Sequence, residues 1–268
     1  MPSISPLYTP ENTKHAYQLN WSLTLFHRVL LPPIESWLES LQIATEPDGI
    51  RILEARILND RSHQFLVSTL PSLSPSHIIR IIKGRLQYLI RSEIPKAFQR
   101  NYSIVSVGEA NGDCLGGYVA KQPIRHRMAA NSTQRRVESF QFVDEQLDLR
   151  KSRTSSHGLF IYNLHIVLEN REHLHDVSLR ALSSVRDMIA RSSSKKGQLL
   201  SRIGLVSNHV HILLGCSVIE SPSTVVLSLM NNIAYAFAMK PVLEFGYYVG
   251  TFGPYDRGAI RKEINTGG

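Results

Sequence analysis

Asn208-His209-Val210-His211-Ile212-Leu213-Leu214 decides the reading, because a weaker version stands earlier as His63-Gln64-Phe65-Leu66-Val67. His209 follows His63 by 146 positions. Ser221-Pro222-Ser223 follows Ser74-Pro75-Ser76 by 147. Gly253, in Thr251-Phe252-Gly253, follows Gly108, in Ser106-Val107-Gly108, by 145. Three landmarks in one order at nearly one spacing point to one unit written twice. Trp21-Ser22-Leu23-Thr24-Leu25 beside Tyr162-Asn163-Leu164-His165-Ile166 extends the match. The period is too long for a solenoid and suits two small domains.

Both copies predict one order of elements. A strand of alternating character opens each (Tyr17 to Phe26; Leu159 to Leu168). A helix follows (Ile34 to Ile43; Val177 to Arg191). Two strands come next (Ile52 to Leu58 and Gln64 to Thr69; Gly197 to Val206 and His209 to Gly215). Ser-Pro-Ser then opens a second helix, serine capping free N–H groups and proline suiting the first turn. Ile78, Ile79, Ile81, Ile82 and Leu86 give the first of these helices an apolar side. A last strand closes each copy. This is the order of a ferredoxin-like α+β domain with an antiparallel sheet. The expected division is 1–122, a basic connector 123–157 with a short helix over Arg136 to Leu149, and 158–268.

Composition narrows the function classes. The 268 residues carry a net charge of +8, which favours a polyanion, nucleic acid before membrane. No apolar run is long enough to cross a bilayer, and the N-terminus lacks the pattern of a secretory signal. The two cysteines, Cys114 and Cys216, form no disulfide framework or metal spacing, so a reducing, cytoplasmic setting is expected.

Two constellations could carry chemistry. His209 and His211 sit two apart in a strand, so both imidazoles share one face and could begin a metal site. Tyr118 and Gln122 sit four apart on a short helix starting near Asn111-Gly112-Asp113 and ending before Pro123, and so share a side. Gly116 and Gly117 each cost that helix about 1 kcal/mol against alanine, which close backbone approach or mobility would explain. Taken alone, a strand histidine pair and an amphipathic tyrosine are more often structural. His173-Leu174-His175, in a polar loop, repeats the histidine spacing without such a strand. Lys83 and Arg85 on the helix after Ser74, with Arg125, Arg127, Arg135 and Arg136 in the connector, could displace counterions from a phosphate backbone. Lys151 and Arg153 add to the connector's charge.

As an ordered set, these motifs resemble the single-tyrosine HUH transposases: the small transposases of minimal insertion sequences and the REP-associated tyrosine transposases. The set is Asn208-His209-Val210-His211-Ile212-Leu213-Leu214, Ser74-Pro75-Ser76 with Lys83-Gly84-Arg85, and Tyr118-Val119-Ala120-Lys121-Gln122. The resemblance implies two HUH endonuclease domains in a single-chain pseudo-dimer. It implies single-stranded, hairpin-bearing DNA as partner and Tyr118 as the nucleophile that links to the 5′ phosphate. It implies a divalent cation, Mg²⁺ or Mn²⁺, held by His209, His211 and Gln122. Family members are often dimers, so further self-association stays open.

Each copy departs from the family pattern. The first keeps Tyr118 and Gln122 but reads His63-Gln64-Phe65. The second keeps both histidines, while Glu263 and Gly267 fall where the tyrosine and glutamine belong. The surviving groups complement one another, so one composite site is expected, and the site of His63, Phe65, Glu263 and Gly267 should be dead. Two rivals remain at this level: an inactive relic that binds hairpin DNA, and a histidine phosphoesterase that makes no tyrosine adduct.

Overall fold

A computed structural model describes residues 5–108, 112–121, 137–171, 179–206 and 208–255. The first half runs β1 (Lys14–Gln18), β2 (Asn20–His27), a 3-10 turn (Ile34–Ser36), α1 (Leu38–Thr45), β3 (Ile50–Asn59), β4 (Ser62–Thr69), α2 (Pro75–Ile90) and β5 (Phe98–Val107). Next come α3 (Gly112–Ala120), β6 (Phe142–Val143) and β7 (Arg153–Thr154). The second half runs β8 (Gly158–Ile161), β9 (Asn163–Asn170), α4 (Leu179–Lys195), β10 (Leu199–Leu205), β11 (His209–Gly215), α5 (Pro222–Ala236) and β12 (Leu243–Phe252).

The chain folds as an α+β protein with two six-stranded sheets, β3-β4-β2-β5-β8-β7 and β1-β12-β9-β11-β10-β6. Four adjacent strands in each follow one plan: the opening strand lies between the third and the last. Ser74 and Ser221 cap α2 and α5 as their sequences require, accepting the N–H groups of His77 at 3.4 Å and Thr224 at 3.2 Å. Trp21, Leu23 and Leu25 of β2, and Leu164, Ile166 and Leu168 of β9, are buried under the helices. Both halves share one apolar core, bridged where Trp21 meets Tyr162 edge-on at 5.1 Å. Among the described residues, no helix is long and apolar enough to cross a membrane.

The sheets are mixed rather than antiparallel. Each predicted opening strand breaks, at buried Leu19 and at buried Tyr162, and its first part joins the other half's sheet. Thus β1 pairs in parallel with β12, and β8 in parallel with β5. Two hydroxyls lock the crossing reciprocally. Ser106 Oγ accepts the Asn163 N–H at 3.0 Å and donates to the Phe252 carbonyl at 2.6 Å. Thr251 Oγ1 accepts the Asn20 N–H at 2.8 Å and donates to the Val107 carbonyl at 2.7 Å. A Cβ on Gly253 would collide with the Ser106 carbonyl oxygen, so glycine is required there.

The connector also differs from expectation. Among the described residues, helix is confined to Val137 and Glu138 and does not run on to Leu149. Phe142 instead pairs with Ile203 in β6–β10. The Gln141 amide donates to the Leu205 carbonyl and accepts its N–H, extending that edge. The apolar spacing belongs to an edge strand that needs β10 as its template, a non-local cause. Arg153 is an anchor rather than a surface charge. It donates to the Tyr162 and Cys216 carbonyls at 3.1 and 2.7 Å and covers the Phe160 ring.

Strand pairing revises the match between halves. Asn20 pairs with Ser68 and Val107, as Asn163 pairs with Gly215 and Phe252. Counting from those anchors, Ser62 and Gln64 stand where His209 and His211 stand. His63 is one residue out of register, and a slip of one turns a side chain to the other face. His63 and Phe65 lie against Trp37 of the helix layer, at ring separations of 5.6 and 6.2 Å. The expected dead site containing His63 and Phe65 is therefore wrong in both residues. Glu263 and Gly267 lie outside the described residues, as does His173-Leu174-His175.

Candidate active site

The second sheet presents its face opposite α4 and α5 to α3. Pleating puts Val210, Ile212 and Leu214 in the core and His209 and His211 on the α3 side. The His209 and His211 rings are 4.7 Å apart at 78°. His211 is 4% exposed. His165, on the same face of β9, lies edge to edge with His211, ring centroids 5.2 Å apart and planes at 11°, and its Nε2 is 2.9 Å from His211 Nδ1. Tyr248 of β12 meets His165 edge-on at 5.7 Å. Burial pushes the His165 pKa down to about 4, leaving a neutral ring at pH 7.

Tyr118 comes to this cluster from the other half of the chain. Its ring stands edge-on to His211 at 5.7 Å and 87°, and the residue is 40% exposed. Val119, next in α3, is fully buried against Leu213 and Phe252 and docks the helix. Gly204 of β10, opposite His211, makes that docking possible. A Cβ there would lie 2.6 Å from Val119 Cγ1 and 3.4 Å from the Val119 carbonyl oxygen. The glycines of α3 do not play this part: around Gly117 there is open space, and Gly116 has only ordinary clearance to Arg202. The Gly204→Ala variant is expected to lose about 1–3 kcal/mol, because Val119 is branched and stiff and cannot yield. Thermal unfolding checks this, and Val119→Ala in the same chain should recover part of the loss.

Arg202, also on β10, lies at the foot of α3. Beside it a cavity of about 420 Å³ opens between α3 and the connector, lined by Gly116, Gly117, Asp144, Asp148, Arg202 and Leu213. Neither His165 nor Arg202 stood out in the sequence. The signal for His165 was alternation along Asn163-Leu164-His165-Ile166, legible only once β9 is known to lie beside β11.

The proposed DNA contacts fare differently. Lys83 donates to the carbonyls of Gln99, Arg100 and Asn101 at 2.9, 3.1 and 2.9 Å, and burial lowers its pKa to about 8. All three ammonium protons are engaged, so Lys83 anchors the start of β5 rather than facing a phosphate. Arg85 is held by the Asp48 carboxylate through bonds of 2.9 and 3.2 Å. Gln122, Arg125, Arg127, Arg135 and Arg136 lie outside the described residues.

Among the described residues, no group of three or more His, Cys, Asp or Glu is arranged to hold a metal ion. The donor chemistry still fits an open divalent site. Two converging imidazoles supply part of a coordination shell, and an amide such as that of Gln122 would be a suitable third donor.

Residues 16–122 match the family model of IS200-like transposases. The likeness to that family covers this segment alone. The matched segment includes Tyr118 and Gln122, while His209 and His211 lie beyond it. No curated protein matches the chain. Among solved structures, a Deinococcus radiodurans protein assigned as a transposase is 19% identical over 43% of this chain and 95% of its own, with a TM-score of 0.32. A protein assigned as a glycine cleavage system transcriptional repressor is 10% identical over 87% of this chain and 97% of its own, with a TM-score of 0.23. A microcompartment protein from Desulfitobacterium hafniense is 10% identical over 91% and 99%, with a TM-score of 0.21.

Proposed function

We propose that the chain is a transposase-like enzyme that cuts and rejoins single-stranded DNA through Tyr118, at one composite site. The observation that carries this reading is the Tyr118 ring, from the transposase-family segment, edge-on to His211 of the other half. The two halves act as a pseudo-dimer within one chain. Their shared strand order and the reciprocal Ser106 and Thr251 bonds support that view.

Tyr118 Oη attacks the scissile phosphorus, the bond to the 3′ oxygen breaks, and the 5′ phosphate stays on the tyrosine. The phenol loses its proton as the new bond forms, and the departing 3′ oxygen gains one. The phosphotyrosine bond keeps the backbone reactive, so a 3′ hydroxyl can later reverse the step and join strands. His209, His211 and Gln122 would hold a divalent cation, Mg²⁺ or Mn²⁺, which supplies charge neutralisation at the nonbridging oxygens. Arg202 adds a guanidinium near the same face. The net charge of +8 favours the approach of the DNA strand.

The first sheet offers no second copy of this site. Ser62 and Gln64 replace the histidines, and Gln64 is tied to Ser22 and Arg56 at 2.6 Å each. One chain therefore makes one cut at a time.

The test is a labelled library of hairpin-bearing single strands incubated with the protein and Mn²⁺. A denaturant-resistant protein–DNA adduct is expected, absent from Tyr118→Phe. Binding without an adduct on any strand would overturn the enzymatic reading, and phosphodiester hydrolysis that survives Tyr118→Phe would overturn the role of the tyrosine.

A further inference from the structure

We infer that His165 is a positioning residue that holds His211 in the one tautomer able to ligate a cation; this rests on the metal-dependent reading above. A neutral imidazole carries one N–H and one lone pair. His211 Nδ1 lies 2.9 Å from His165 Nε2, so one of those two nitrogens bears the proton between them. When His211 Nδ1 bears it, His211 Nε2 keeps its lone pair for a metal. When His165 Nε2 bears it, a neutral His211 has its own proton on Nε2 and cannot ligate there. The working arrangement is therefore His211 Nδ1–H donating to His165 Nε2. Metal-binding histidines are commonly oriented by such a bond from the second ring nitrogen.

The placement of His165 supports this role. It lies on β9, diagonal to His211 on the paired strand, with rings nearly parallel at 11°. The Tyr248 ring closes its other side at 5.7 Å. The first sheet gives an internal comparison. There, strand pairing puts Ser22, Ser62, Gln64 and Ser103 where His165, His209, His211 and Tyr248 stand. The cross-strand hydrogen bond survives, as Gln64 Nε2 to Ser22 Oγ at 2.6 Å, but all three imidazoles are missing together. A histidine at position 165 accompanies the ligand pair; a serine suffices where that pair is absent. A role in holding the sheet alone does not account for this difference.

Two readouts test the inference. Long-range ¹H–¹⁵N spectra of metal-free protein labelled at histidine should show His211 protonated at Nδ1. Calorimetry with Mn²⁺ alone should show His165→Ala binding about 10–100-fold more weakly than wild type. His165→Gln, whose Oε1 can accept the same bond, should recover most of that loss. If His165→Ala does not fold, the wild-type spectrum and His165→Gln still decide. His211 protonated at Nε2, or an affinity for Mn²⁺ unchanged in His165→Ala, overturns the inference. Wild-type protein that takes up no Mn²⁺ overturns the metal reading itself. Loss of Mn²⁺ in His211→Ala but not in His165→Ala leaves that reading standing and removes only the role of His165.

Discussion

Replacing His211 with alanine is expected to reduce adduct formation on hairpin DNA at least ~1000-fold, about 4 kcal/mol of transition-state stabilisation. The size follows from the charge. A phosphodiester already carries a negative charge, and attack by an oxygen nucleophile crowds more onto it. Neutralisation by a bound cation is worth several kcal/mol in such a site. Removing one of the two imidazoles proposed as donors would weaken or empty the proposed cation site. His211→Ala should also disturb Tyr118, whose ring stands against that imidazole. The contrast is His63→Gln. His63 looks like a counterpart in the sequence, but it packs against Trp37 on the helix side of the other sheet. At a temperature where the variant is folded, its adduct yield should stay within about twofold of wild type. Equal losses in both variants, measured on one substrate under one metal concentration, would refute the asymmetry between the two sheets.

The second large effect is on stability in acid. Burial, reinforced by the neighbouring His27, pushes the His63 pKa down to about 4. Burial does the same to His165. Both rings are neutral in the folded chain at pH 7, whereas the unfolded chain binds their protons below about pH 6.5. The stabilisation is therefore complete above about pH 6.5 and is lost as pH falls towards 4. Each ring accounts for roughly 3 kcal/mol over that range. Together they approach the whole stability of a marginal protein. Among the described residues, His63 Nε2 has no hydrogen-bond partner, so its ring gains nothing from them on that side by taking up a proton. Urea unfolding at pH 7, 6, 5 and 4 should show a falling midpoint. In His63→Gln the fall should be shallower by roughly half. A midpoint independent of pH between 6.5 and 4 would contradict both assignments.

Much of this architecture was readable from residue order. The Ser-Pro-Ser boxes marked two helix starts, and alternation marked the strands that bury Trp21 and Leu164. The 147-residue spacing of those boxes was also the true register of β4 against β11. Matching letters instead aligned His63 with His209 at 146, and that single residue reversed the faces. Period-two patterns are unforgiving of such a slip. The juxtaposition of Tyr118 and His211 was expected from complementary losses in the two halves. The seat that makes it possible, Gly204 beneath Val119, carried no local signal, because it exists only when α3 lies on β10. The same holds for His165, and for Lys83, whose three carbonyl partners come from a separate strand start. Charge counts identify cations but not which of them the fold has already engaged.

The crossing of β1 into the far sheet has a consequence for how the molecule is made. Lys14–Gln18 finds its partner in Gly246–Gly250. During synthesis, Lys14–Gln18 must wait as an unmatched edge until Gly246–Gly250 has left the ribosome. The pairing of β1 with β12 spans 232 residues, a contact of long sequence separation that is slow to form. A chain cut short before β12 would expose a sticky strand rather than yield a free-standing first half.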